Sequence, residues 1–135
     1  MTEPEIGAVG TAELVVQQSD CASALDVGNA PDEKFPAVFA TTRMIALMEM
    51  AGARLLKPLL REGEMSVGVT VDVFHSAATP IGGKVTATAT YRARDGKLFV
   101  FDVIAHDPGG EIGRGTHKRA IISRERLLGG AAKRV

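Results

Sequence analysis

One cysteine, Cys21, occurs in 135 residues. A single thiol closes no internal disulfide, which suits a reducing cytosol and leads to the expectation of a cytoplasmic protein. Neither charge is in excess: Lys+Arg number 16 and Asp+Glu 16. With no basic block, nothing favours nucleic acid or a membrane surface as partner. No apolar run reaches the roughly 20 residues of a membrane span, because the longest candidate is broken by Glu49 and Arg54. The first ten residues, MTEPEIGAVG, are acidic and lack the apolar core of a signal segment. Internal repeats and low-complexity segments are absent. So are a Walker loop, a dinucleotide GxGxxG after a strand and a GxSxG elbow. His106 and His117 have no metal-ligand spacing with each other or with Cys21, so no metal is expected and both are assigned structural or surface places.

What remains is a single domain, 45% hydrophobic and long enough for a real core. Its organising stretch is FPAVFATTRMIALMEMAGARLLKPLL, residues 35–60. Met44, Ile45, Leu47, Met48, Met50, Leu55 and Leu56 cover nearly the whole circumference of a helix, which predicts a buried one. Over 42–60 it would run about 28 Å. Thr41 or Thr42 is placed to cap its start, Pro58 to disturb its last turn and Gly63 to stop it. Strands are predicted at 11–19, 66–75, 84–92, 98–105 and 111–124. Segment 20–36 is a loop or lid with a short helical turn at most, and 129–135 a loose tail. In SVGVTVDVFH, four valines at period two share a face that His75 continues. Asp95-Gly96 marks a tight hairpin. On the last strand Gly113, Gly115, His117, Arg119 and Ile121 share a face, its glycines inviting the helix to approach. The order is strand, long helix, then four strands in a meander. That is an α+β fold in which an antiparallel sheet wraps one central helix.

Glu49 is the residue to explain. A carboxylate in the middle of such a helix is costly unless compensated. Its bland explanation is a side chain that reaches solvent or pairs with Arg43 or Arg54. The functional one is a desolvated base or nucleophile, whose neutralisation should leave the fold intact or more stable. His75 is ordinarily a satisfied core histidine. It gains weight because Glu49 lies on the element this strand must cover, and the two make a base and an orienting partner. Capping employs one of the two threonines. Thr42 and Glu49 are about 10 Å apart along the axis, so a site using a threonine and Glu49 is easier to build from two chains.

Three stretches in order, FPAVFATTRMIALME (35–49), GVTVDVFHSAATPIGG (68–83) and AHDPGGEIGRGTHKRAII (105–122), resemble the hot-dog fold thioesterases. Within these the likeness is to the fluoroacetyl-CoA thioesterase family. It covers residues 10–126, the core of the single 1–135 domain. The resemblance implies hydrolysis of a small or medium acyl-CoA to free acid and CoA by a homodimer or higher oligomer, with no metal or redox cofactor. The family's catalytic threonine, glutamate and histidine match Thr41, Glu49 and His75. Its substrate-contacting glycine and arginine match Gly68 and Arg119, and one lid phenylalanine matches Phe35. Gly68 would admit a carbonyl or water to its backbone N–H. Asp32 stands where the family has a second lid phenylalanine, Met50 replaces a tryptophan, and Thr42-Arg43 replace Gly-Phe. Two other uses of the fold are weighed: a non-catalytic acyl-CoA-binding module, and an enoyl-CoA hydratase using Asp72 and His75.

Overall fold

The computed structural model describes residues 3–135. Its elements are β1 (Val9–Val15), α1 (Thr41–Leu56), β2 (Glu64–His75), β3 (Lys84–Asp95), β4 (Leu98–Asp107), β5 (Gly110–Ser123) and α2 (Arg124–Ala132). The strands form one antiparallel sheet in the order β1-β3-β4-β5-β2. It is touched along one face by α1 from every strand.

Alternation places the core. In β3, Val85, Ala87, Ala89 and Tyr91 are all fully buried, and Phe101, Val103 and Ala105 of β4 join them. Met44, Leu47, Met48, Ala51 and Leu56 of α1 pack on that layer. The helix is not buried all round, however. Thr42, Ala46, Met50 and Arg54 lie on an exposed stripe, with Met50 at 50%. A single sheet covers only one side of a helix.

The ends of α1 differ from expectation in an informative way. Neither threonine caps it: Ala40 is the N-cap and offers no side-chain bond, while both threonines lie inside the first turn. Pro58 does disturb the end, converting Lys57–Leu59 to a 3-10 turn. The first strand lies earlier than 11–19. Its expected end instead becomes a 3-10 turn, Gln18–Asp20, and a second, Ala22–Ala24, is the short helical turn of the 20–36 loop. The tail is a helix, α2, capped where Ser123 Oγ accepts from Arg126 N–H.

Two corrections bear on function. First, the four later strands are not one meander. Segment 76–83 carries the chain from β2 to the far side of the sheet, so β2 pairs only with β5 and forms an edge. Second, a bulge between Gly68 and Thr70 splits the valine face. One extra residue reverses the alternation. Gly68 lies opposite Arg119, Val71 opposite His117 and His75 opposite Gly113, all on the helix side, whereas Val67 pairs with Ala120 on the other. The β3–β4 hairpin is shifted by one residue. Its central pair is Gly96-Lys97 and only Gly96 has positive φ, at 60°. That is the pattern of a type II′ turn.

Candidate functional site

The bulge turns Gly68 and His75 to one face, and the predicted residues form two clusters, one at the C-terminal end of β2 and one at the bulge. At the first, Thr41 Oγ1 and His75 Nδ1 share a hydrogen bond of 2.7 Å. The backbone before the helix is what aims Thr41. Ala40 N–H donates to the Asp20 carbonyl and Phe39 N–H to that of Thr79, each at 2.9 Å, so the strap is held from both sides. Asp20 is itself buried. Burial pushes its carboxyl up, but Gln17 N–H and the Arg43 guanidinium, 2.8 Å away, outweigh this and hold it below the usual range. Arg43, one of the departures from the family, thus clamps the strap to the first turn.

Beside this pair lies a cavity of ≈ 290 Å³. Ala22, Pro36, Val38, Ala40 and Ala77 line it together with Thr41 and His75. His75 Nε2 is buried without a hydrogen-bond partner. Burial pushes the imidazole below its ordinary value, against a weaker upward pull from the Ala77 backbone. The ring is therefore neutral at pH 7 and able to take up a proton. Phe35 is 45% exposed and contributes no wall to the cavity, and Asp32 points to solvent.

The second cluster surrounds Glu49, whose side chain is 39% exposed. Its Oε1 lies 3.6 Å from Arg119 Nη1 and 4.0 Å from His117 Nε2. The expected partners Arg43 and Arg54 are engaged elsewhere, with Asp20 and the Thr11 carbonyl. Gly68 faces the Glu49 carboxylate. An added Cβ there would meet Glu49 Oε1 at 2.0 Å, so the missing side chain makes room for the carboxylate itself. Gly52 on α1 likewise faces His117 and Arg119, whereas Gly115 is crowded by Asp72 and Val73 of β2 rather than by the helix. His117 is the residue that sequence reasoning missed. It lacks metal-ligand spacing, yet it is 1% exposed and lies beneath Glu49. The available signal was its place on one face with Arg119, opposite the helix.

Within one chain the clusters stay apart. Thr41 and Glu49 are eight residues apart on α1, about 12 Å along the axis. Asp72 is exposed on the face opposite His75, which removes the geometry a hydratase pair needs. Among the described residues no three His, Cys, Asp or Glu side chains gather as a metal-ligand set, and no helix is long and apolar enough to cross a membrane.

Both His75 and His117 are pushed down mainly by burial. An unfolded histidine takes up a proton near 6.5, whereas these take theirs up only at lower pH. The unfolded chain therefore binds more protons as pH falls below that value, and stability declines. The melting temperature should drop as pH is lowered from 7 toward 5. A flat or rising curve over that window would contradict the burial of these rings.

A sequence model of the fluoroacetyl-CoA-specific thioesterases matches residues 16–125. The fluoroacetyl-CoA thioesterase of Streptantibioticus cattleyicolor is 48% identical over 94 residues, 70% of this chain and 68% of that protein. A solved structure of the fluoroacetyl-CoA thioesterase superposes with a TM-score of 0.91 at 38% identity, covering 98% of each chain. A phenylalanine-to-alanine variant of that enzyme, in complex with fluoroacetate and CoA, superposes at 0.86 and 40% identity over 92% of this chain and 99% of its own. A thioesterase superfamily member from Thermus thermophilus gives 0.85 at 25% identity, covering 98% and 94%. With the matched stretch spanning most of the sequence and the fold superposing throughout, the chain belongs to the fluoroacetyl-CoA-specific thioesterase family.

Proposed function

We propose that this protein is an acyl-CoA thioesterase, hydrolysing a small or medium acyl-CoA to the free acid and CoA in a homodimer whose active sites are shared between chains. The observation that carries the reading is the division of Thr41–His75 and Glu49–Gly68–Arg119 between the C-terminal end and the bulge of one edge strand. An edge strand offers unpaired N–H and C=O groups to a second chain. On β2, Val69, Val71 and Phe74 are exposed, and Met50 is exposed on the open stripe of α1. Antiparallel pairing of two β2 strands about an axis through Asp72, with Val69 as the extra residue of the bulge, sets Gly68 opposite His75 of the partner subunit on the helix side. Each Glu49 then approaches a Thr41–His75 pair, and the helix stripes face each other.

In such a site Glu49 either attacks the thioester carbonyl or activates a water to do so. The first route makes an acyl-glutamate anhydride that water then opens. In both, the C–S bond breaks, the thiolate leaves and one water is consumed; water attacking the acyl carbonyl, directly or in the anhydride, puts its oxygen in the acid. In the first route neutral His75, steadied by Thr41, takes the proton of the water that opens the anhydride and passes it to the thiolate; in the second Glu49 takes that proton and His75 relays it to the thiolate. Arg119 holds a polar group of the ligand. Water is the only co-reactant, so no metal or redox cofactor is required. The single thiol, on buried Cys21, fits a cytoplasmic setting.

The test is thiol release from a panel of fluoroacetyl-, acetyl- and longer acyl-CoA under one condition. Turnover of at least one small or medium acyl-CoA is expected. Binding of all without thiol release would favour the acyl-CoA-binding module instead. Within the panel, kcat/KM for fluoroacetyl-CoA should not exceed that for acetyl-CoA by orders of magnitude. One fluorine is a small handle, and discrimination by it needs a dry, close-fitting lid. Solvent-facing Asp32 and half-exposed Phe35 leave the entrance wet. A preference of several orders of magnitude would show that another part of the pocket reads the fluorine.

A further inference from the structure

A guanidinium beside a carboxylate normally closes to about 2.8 Å. Arg119 Nη1 stops 3.6 Å short of Glu49 Oε1. Three acceptors account for the gap. Arg119 Nε donates to Ser66 Oγ at 3.1 Å, Nη2 to the Ser66 carbonyl at 3.0 Å and Nη1 to His117 Nε2 at 3.1 Å. The last is decisive, because Nη1 is also the atom that faces Glu49. His117 can accept there only as one tautomer, and its other nitrogen selects that tautomer. Nδ1 lies 2.8 Å from the Thr70 carbonyl, which cannot donate, so the ring proton sits on Nδ1 and the lone pair on Nε2. Stacking on Phe101 and the bare Gly52 hold the ring in place. Burial, the largest influence on this imidazole, favours the same neutral form.

We propose that His117 is a positioning residue that draws Arg119 away from Glu49. A carboxylate clasped by a guanidinium spends its lone pairs on the clasp and is a poor base or nucleophile. Held off, the cation still favours the negative charge but takes up no lone pair of the carboxylate in a hydrogen bond. The charged groups facing Glu49 are thus Arg119 and, if it were protonated, His117, both from β5; β2 presents only Gly68 and Ser66 there. This inference rests on Glu49 carrying the reaction.

Two substitutions separate the ring's two bonds. Glutamine places its polar end near the Nε2 position and keeps an acceptor for Arg119. Asparagine reaches only the Nδ1 position and keeps the tether to Thr70. In His117→Asn, kcat should fall on the order of tenfold with KM changing less, the sign of an interaction lost in the transition state. A crystal structure of that variant should show Arg119 Nη1 within hydrogen-bond range of Glu49, under about 3.2 Å. His117→Gln should recover most of kcat and keep the longer separation. The reverse order, with asparagine near wild type and glutamine impaired, would mean that His117 merely braces the bulged strand. Unchanged kcat, or an unchanged distance, in the asparagine variant would also overturn the proposal. If the wild-type protein hydrolyses no thioester, the thioesterase reading fails, while the crystallographic distance still decides whether His117 holds Arg119 back.

Discussion

Replacing Glu49 by glutamine should cut thioester turnover on the order of 10²–10⁴-fold, the usual weight of a positioned base or nucleophile. The substitution keeps shape and volume, so Gly68 still accommodates the side chain. What it removes is the charge. Sequence reasoning suggested that neutralising a carboxylate in the middle of the helix would leave the fold intact or more stable, and the site geometry reverses that sign. Glu49 is 39% exposed, so its own desolvation is partial, while Arg119 beside it is only 8% exposed in its side chain. Losing the carboxylate leaves a buried guanidinium without its nearby anion. The cost should be about 1 kcal/mol, discounted from a fully buried pair because Glu49 reaches water. Thiol release and thermal unfolding on one preparation check both halves. Wild-type turnover in Glu49→Gln would make Glu49 a structural counter-charge for Arg119 and nothing more.

What could be read from the sequence follows from how local each determinant is. The α1 helix, the alternation of β3 and the break at Pro58 depend on neighbours a few residues away, and all are found where the pattern placed them. The edge position of β2 depends on which strand it pairs with, and β5 lies some 50 residues downstream. The bulge at Val69 has one local mark, Gly68 beside it, but the valines alternate through it as if the strand were regular. Alternation alone therefore put Val67 and Val69 on the His75 face, whereas pairing with β5 moves Val67 to the other. The same non-local register sets Arg119 opposite Gly68 and slides His117 beneath Glu49. Thr41, Glu49, His75, Gly68 and Arg119 were nameable because motif stretches carry them in order. The partner of each was not, since a motif fixes identity and the sheet fixes contact.

The division of the site makes a prediction that neither half makes alone. Thr41→Ala or His75→Ala disables the cluster at the C-terminal end of β2, and Glu49→Gln disables the one at the bulge. Each variant by itself should be nearly inactive, because every site in its homodimer lacks one component. Mixed, unfolded and refolded together in equal amounts, a Glu49→Gln chain and a His75→Ala chain should regain about a quarter of wild-type activity. Random pairing gives heterodimers in about half the population. In each heterodimer one site combines the intact Glu49 of the second chain with the intact Thr41–His75 pair of the first, while the other site carries both lesions. The eight-residue spacing along α1, about 12 Å, leaves little room for a different result if the groups act together. A site confined to one chain predicts no recovery at all, since no chain in the mixture holds every residue. Recovery should also vanish when β2 is prevented from pairing, for example by Val71→Pro, whose ring removes an edge N–H. If that variant migrates as a monomer by light scattering yet hydrolyses acyl-CoA at the wild-type rate, the two clusters do not form a shared site. Activity lost together with the dimer, and regained only in the mixture of complementary lesions, is the result the geometry requires.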